Sequence, residues 1–390
     1  MRQLITRAVV VCLIMGTLTT LVVACGPGQV EPTAVPTSPK VEATEVPTAA
    51  PTEAPTPEPE KPELAKELHL YNWSEYIEPQ VLADFEAEFG VHVVEDTFAN
   101  NEELLAKLQA GATGYDVIVP SDYMVEIMIE EGLLVELDHG NLSNIGNIDP
   151  KFANPPYDPG MVHCVPYLWG TTGIGYNGEV FEEPPDSWAY LFDSDLASQH
   201  AGKFTMLNDV RETMGAALKY LGYSLNSTNE TELQAARDLL IQQKQWIHSY
   251  DAEQYEDLLS ADETVMAHSW SGDIFMVAEE DERLWYAIPK EGGVIWADNL
   301  CIPASAPSKY TAEVFINYLM RPEVAAANSN FAWYASPNAK AEEFIEAEIL
   351  EEPAIYPPPE VLDKMEWLED VGEATPLYER MWTEVKAAGP

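Results

Sequence analysis

Positive charge is scarce in this sequence: 20 Lys and Arg stand against 66 Asp and Glu in 390 residues, a formal net charge of -46. Such a balance repels phosphate backbones and anionic surfaces, which excludes nucleic acid as a partner, and it draws in cations. An acidic surface kept for solubility or high salt accounts for the excess as readily as a cationic ligand, so bulk charge alone names no ligand. Cysteine and histidine are also few, at four and seven residues. His163 beside Cys164 is the best metal-ligand pair, but neighbours on a strand point to opposite faces and no second His or Cys recurs at ligand spacing. No metal site is expected. The chain also lacks a Gly-x-Ser-x-Gly elbow and a phosphate loop, and no cofactor is expected. After the first 25 residues no apolar run is long enough to span a membrane.

What is present suffices for a core. Apolar residues make up 46% of the chain and aromatics 10%, enough for two globular units. Arg2 and Arg7 precede apolar runs from Ala8 to Met15 and from Leu18 to Ala24, ending in Val22-Val23-Ala24-Cys25. These flanks read as an export signal over residues 1–25. A small residue directly before Cys resembles the lipobox of bacterial lipoproteins, in which Cys25 is lipidated and becomes the new N-terminus. The rival, an uncleaved transmembrane anchor, meets a run that is short and broken by Gly16 and several Thr. The expected location is extracytoplasmic, anchored to the cell membrane. Export permits a disulfide between Cys164 and Cys301, although two buried thiols fit the sequence equally well. Residues 26–63 are almost entirely Pro, Thr, Glu, Ala and Val, the composition of a disordered, extended tether.

The folded part opens with an alternating strand at Leu68–Trp73 and an amphipathic helix from Pro79 to Phe89. Val91–Val94 and Tyr115–Val119 read as strands around a helix at Glu102–Ala110, an α/β order that implies a parallel-rich sheet. Val162–Trp169 reads as a strand entering a flexible crossing at Gly170-Thr171-Thr172-Gly173. Beyond it, Lys203–Leu207, Thr264–Ser269, Trp285–Ile288 and Val294–Ile302 are strand-like. Arg211–Leu221 and Thr231–Tyr250 are expected to be helical, as is most of the chain from Ser308. Ligands of such sheets sit beyond the carboxyl ends of strands. The loops there carry Trp73, Glu75, Tyr76, Tyr123, Asp209, Glu212, Trp270, Asp273, Trp296 and Asp298. Spaced carboxylates with flat aromatic walls suit a slender organic cation, since carboxylates replace its hydration and aromatic faces cover its methylenes. Taken singly, Asp209 reads as a helix cap, Trp270 as core and Glu75 as a solvated charge. Only their combination favours a site. Arg211, between two of the acids, is expected to pin a carboxylate or to span the lobes.

Several ordered segments carry a family resemblance. They are Tyr71-Asn72-Trp73-Ser74-Glu75-Tyr76, Val119-Pro120-Ser121-Asp122-Tyr123, Pro166-Tyr167-Leu168-Trp169-Gly170, Asp209-Val210-Arg211-Glu212, Pro289-Lys290-Glu291-Gly292-Gly293, Trp296-Ala297-Asp298-Asn299-Leu300 and Tyr334-Ala335-Ser336-Pro337-Asn338. From about residue 68 to the C-terminus, the chain resembles the periplasmic spermidine/putrescine-binding proteins of ABC importers. That resemblance implies a two-lobed α/β periplasmic-binding-protein (Venus flytrap) fold with the ligand cleft between lobes. Residues 64–173 and 296–342 would form the first lobe, and 174–295 and 343–390 the second. It further implies ligand contacts from Trp73, Ser74, Glu75, Tyr76, Ser121, Tyr123, Asp209, Glu212, Trp270, Trp296, Asp298 and Tyr334. The implied partners are a polyamine and a membrane permease, for a monomer without enzymatic activity. One position departs from the family pattern: spermidine binders of this kind often carry Gln where this chain has Leu368, so one polar contact is lost. Two other readings share these residues, a binding module for another organic cation feeding a sensor or importer, and a glycosidase using a carboxylate pair.

Overall fold

The computed structural model describes residues 61–111 and 113–389. The export signal, Cys25 and all but the end of the tether lie outside the described residues. Strand β1 (Glu67–Asn72) pairs in parallel with β2 (His92–Thr97) on one side and β3 (Val117–Ile118) on the other. The Pro79–Phe89 helix crosses between β1 and β2, with Pro79 fixing its first turn and Val81 and Phe85 buried beneath it. Strand β9 (Val294–Cys301) adds antiparallel to β3, and β4 (Cys164–Asn177) adds antiparallel to β9. On the far side of β4 come β7 (Met266–Trp270), β5 (Phe204–Met206) and β6 (Ser249–Tyr250), with β5 parallel to both neighbours. Strand β8 (Leu284–Ala287) also pairs with β4, and β10 (Glu366–Trp367) with β9.

Two long strands therefore join two halves. Residues 164–171 of β4 pair with β9, and residues 172–177 pair with β7 and β8. Cores lie on either side: one gathers Leu68, Phe85, Ile118, Leu168, Leu300 and Phe315, another Ile174, Trp188, Phe204, Met214, Leu240 and Met381. The segment holding Ile345, Ile349, Ile355 and Met365 packs into the first core, whereas Tyr378, Met381 and Val385 pack into the second.

Two details differ from the sequence expectation, and a third decides between alternatives it left open. Gly170–Gly173 does cross between the halves, but as the fully buried centre of a 14-residue strand and not as a loop. Its glycines make room: a Cβ on Gly170 would stand 2.8 Å from the rings of Trp296 and Tyr334, and one on Gly173 2.6 Å from Ala287 O and Tyr286 Oη. Gly173, Gly175 and Gly178 also reproduce the spacing of a dinucleotide-binding turn, but no helix opens there, so the spacing carries no phosphate site. The helix expected over 231–250 ends at Gln243, because the chain turns back and His248 N donates to Phe204 O at 2.7 Å, laying Ser249–Tyr250 beside β5. Finally, Cys164 and Cys301 face each other across β4 and β9, 4.5 Å apart at Cα, and are joined as a disulfide.

Candidate functional site

Loops leaving β1, β3, β5 and β7 at their carboxyl ends converge on one cleft with about 890 Å³ of open space, solvent at its mouth included. All twelve side chains named from the sequence line it. From β1 come Trp73, Ser74, Glu75 and Tyr76. Trp73 Nε1 donates to Val119 O at 2.9 Å, fixing the indole against Phe98 with ring centroids 4.5 Å apart. Glu75 holds a left-handed backbone (φ 52°), which costs a residue with a Cβ about 1 kcal/mol or more and is a conformation found at ligand sites.

At the floor of the cleft is Asp298, on β9 and only 4% exposed. Tyr76 Oη donates to its Oδ2 and Ser121 Oγ to its Oδ1, each at 2.7 Å. Ser121 is itself held by Asn101, whose Nδ2 donates to Oγ at 3.0 Å. Burial raises the Asp298 carboxyl to about 7 despite these two donors.

A second carboxyl cluster sits at the N-terminus of the Val210–Tyr220 helix. Asp209 Oδ1 accepts from the backbone N–H groups of Arg211 and Glu212 at 2.9 and 3.0 Å, so this residue is the helix cap and also a wall of the cleft. Glu212 Oε1 accepts from Thr172 Oγ1 at 3.0 Å and Trp270 Nε1 at 3.2 Å, while its Oε2 is buried without a donor. Burial first, and the Asp209 charge second, lift the Glu212 carboxyl to about 8. Arg211 does not enter the cleft. Its guanidinium lies between the rings of Tyr123 and Tyr378, 5.3 and 5.0 Å from their centroids, and donates to Glu369 O and Asn226 Oδ1. It therefore bridges the two cores, as Tyr123 belongs to one and Tyr378 to the other. Tyr123 Oη in turn donates to Glu102 Oε1 at 3.1 Å.

Aromatic rings make the walls. Trp73 and Trp270 approach to 6.0 Å, Tyr334 and Trp296 to 5.0 Å, and Tyr334 and Tyr76 to 5.5 Å. Tyr334 Oη donates to Asp273 Oδ1 at 2.6 Å, and Tyr255 Oη occupies Asp273 Oδ2. Leu368, where the family pattern has Gln, also faces the cleft and is 5% exposed. Phe98, Ala99, Asn101, Ala252, Glu253, Glu256 and Met276 complete the lining and were not legible beforehand. Glu256 sits in the first turn of the Tyr255–Ser260 helix, where an acidic residue ordinarily reads as dipole compensation, so no local signal marks it. His163, the metal candidate, instead pairs through Nδ1 with Asp158 at 3.1 Å.

A cleft of this kind, with acidic floor and flat walls, offers the carboxylates and apolar faces that an elongated organic cation needs. The family described as bacterial extracellular solute-binding protein matches residues 80–357. A spermidine/putrescine-binding periplasmic protein of Salmonella typhimurium is 34% identical over 322 residues, covering 82% of this chain and 91% of that one. Among solved structures, the PotD substrate-binding protein of a spermidine/putrescine ABC transporter from Streptococcus pneumoniae is 33% identical with a TM-score of 0.70, covering 83% of this chain and 99% of that one. The TpPotD lipoprotein of Treponema pallidum is 31% identical with a TM-score of 0.72, over 82% and 99% of the two chains.

Proposed function

The chain belongs to the bacterial extracellular solute-binding protein family, and on that premise we propose that it captures a polyamine, spermidine or putrescine, and delivers it to an ABC importer. Its fold is the two-lobed periplasmic-binding-protein fold, and it acts as a transport component rather than an enzyme. The observation that carries the ligand reading is Glu212: a buried carboxyl, facing an aromatic-walled cleft, with one oxygen that no protein donor reaches. An ammonium group supplies that donor as a charge-assisted hydrogen bond. A second ammonium at Asp298 is spaced from the first by methylenes that lie against Trp73, Trp270 and Trp296, each cation–π or apolar contact contributing about 0.5–2 kcal/mol.

In this reading the twelve lining residues named above are the ligand contacts. Residues 64–173 and 296–342 form one lobe and 174–295 with the C-terminal helix the other; the packing of Ile345 to Met365 supports giving 343–368 to the first lobe. Closure brings carboxylates and rings of both lobes onto the same ligand, and the closed form is what a permease recognises. Cys25 would carry the lipid, with residues 26–63 as the tether, and the similarity to the TpPotD lipoprotein of Treponema pallidum supports that anchoring. The protein works as a monomer.

A melting-temperature panel with putrescine, spermidine, spermine, thiamine and choline tests the proposal, because a ligand bound only by the folded state raises the midpoint. Spermidine or putrescine should raise it most. A larger shift with thiamine or choline, or none with any polyamine, overturns the reading.

A further inference from the structure

One cation sits where local physics disfavours it. Arg211 is the second residue of the Val210–Tyr220 helix, at the positive end of the helix dipole, and is 5% exposed. Among the described residues it forms no ion pair, and its Nε is buried without an acceptor. A buried charge with no carboxylate on it is costly, so its remaining contacts must account for the placement.

Those contacts lead away from its own helix. Nη2 donates to Asn226 Oδ1 at 2.8 Å and Nη1 to Glu369 O at 2.9 Å. Asn226 grips the same stretch from a second side, accepting from Glu369 N at 3.0 Å and donating through Nδ2 to Trp367 O at 2.8 Å. Here the chain passes from one core to the other, with Met365 and Leu368 in the first and Val371 and Ala374 in the second. One face of the guanidinium lies on Tyr378 of the second core, whose hydroxyl is fixed by donating to Ser227 O at 2.9 Å. The contact with the first core is different in kind: the ring of Tyr123, 5.3 Å away, with no hydrogen bond to the guanidinium. Directional bonds root Arg211 on one side, and a stack that can part and re-form faces the other.

We propose that Arg211 is a latch: it stays bound to Asn226, Glu369 and Tyr378, and its free face closes on Tyr123 when the two halves come together. Arg211 does not line the cleft, so it is a positioning residue that holds the closed form without touching the ligand. A contact made in the closed form alone slows release of the ligand and leaves its capture almost unchanged.

Arg211→Lys keeps the charge and loses the planar face and the forked donors. Stopped-flow fluorescence follows spermidine binding through Trp73, Trp270 and Trp296 in the cleft and yields both rate constants. In R211K the dissociation rate should rise at least fivefold, with association within threefold of wild type. A smaller rise in folded R211K, or an association rate changed more than threefold, overturns the latch. Should R211K fail to fold, Asn226→Ala, which cuts the root of the latch outside the cleft lining, is read against the same limits. A wild type that binds no spermidine overturns the polyamine reading instead. X-ray scattering of the ligand-free proteins then judges the latch: R211K should have the larger radius of gyration, and an equal one overturns it.

Discussion

Asp298→Asn should weaken binding and strengthen folding at once. In the empty protein this carboxyl is buried, and its proton affinity is raised from 3.8 to about 7, chiefly by burial. A raised carboxyl favours the folded state below its unfolded value; that contribution fades as pH climbs through the window between about 4 and 7. Above pH 7 the native state carries a buried charge that the unfolded chain holds in water, a burden on the order of 4 kcal/mol at 1.36 kcal/mol per unit. Asparagine removes it while still offering an acceptor and a donor to the hydroxyls of Tyr76 and Ser121, which sit 2.7 Å away. The ligand-free D298N protein should therefore melt at least as high as wild type at pH 8, and by a smaller margin at pH 5. Binding moves the other way. Removing the partner of a desolvated ammonium costs about 2–5 kcal/mol, or roughly 30- to 5000-fold in spermidine affinity. Calorimetry at pH 8 and a pair of melting curves measure both signs. A D298N protein that binds within threefold of wild type, or that melts well below it without ligand at pH 8, refutes the reasoning.

Gly170→Ala should reduce spermidine affinity without altering the charges of the cleft, because the new methyl meets the Trp296 and Tyr334 rings at 2.8 Å and pushes them toward the ligand; overpacking of this kind costs about 1–3 kcal/mol, to be read by calorimetry. Replacing Cys164 and Cys301 together by Ser opens a loop spanning a sequence separation of 137 and should cost about 2–5 kcal/mol in a denaturant titration; an unchanged midpoint in the double mutant would show that the disulfide adds no stability.

Much of the site could be read from the sequence because its residues sit at strand ends. Trp73 to Tyr76, Ser121 and Asp209 follow short apolar strands, and that position alone assigns them to one edge of the sheet. The rest depends on tertiary geometry. Glu256 looks like any first-turn acid until the fold sets it in the lining of the cleft. Gly170 and Gly173 look like a hinge, since composition records a missing side chain without saying whether flexibility or space required it. Residues 244–250 continue a helical composition, and only the free edge of β5 draws them into a strand. The Cys164–Cys301 pairing likewise needed the register of β4 on β9, which spacing along the chain does not contain.

The most direct test of the whole account is calorimetry of spermidine binding at pH 7 in two buffers of different ionisation enthalpy. The buried acids Glu212 and Asp298, held near 8 and 7 in the empty cleft, must give up protons to receive ammonium groups. One spermidine should bind per chain with net release of protons to the buffer, and more tightly at pH 8 than at pH 6. Binding with no proton exchange and no change of affinity across that range would contradict a ligand held by these carboxylates.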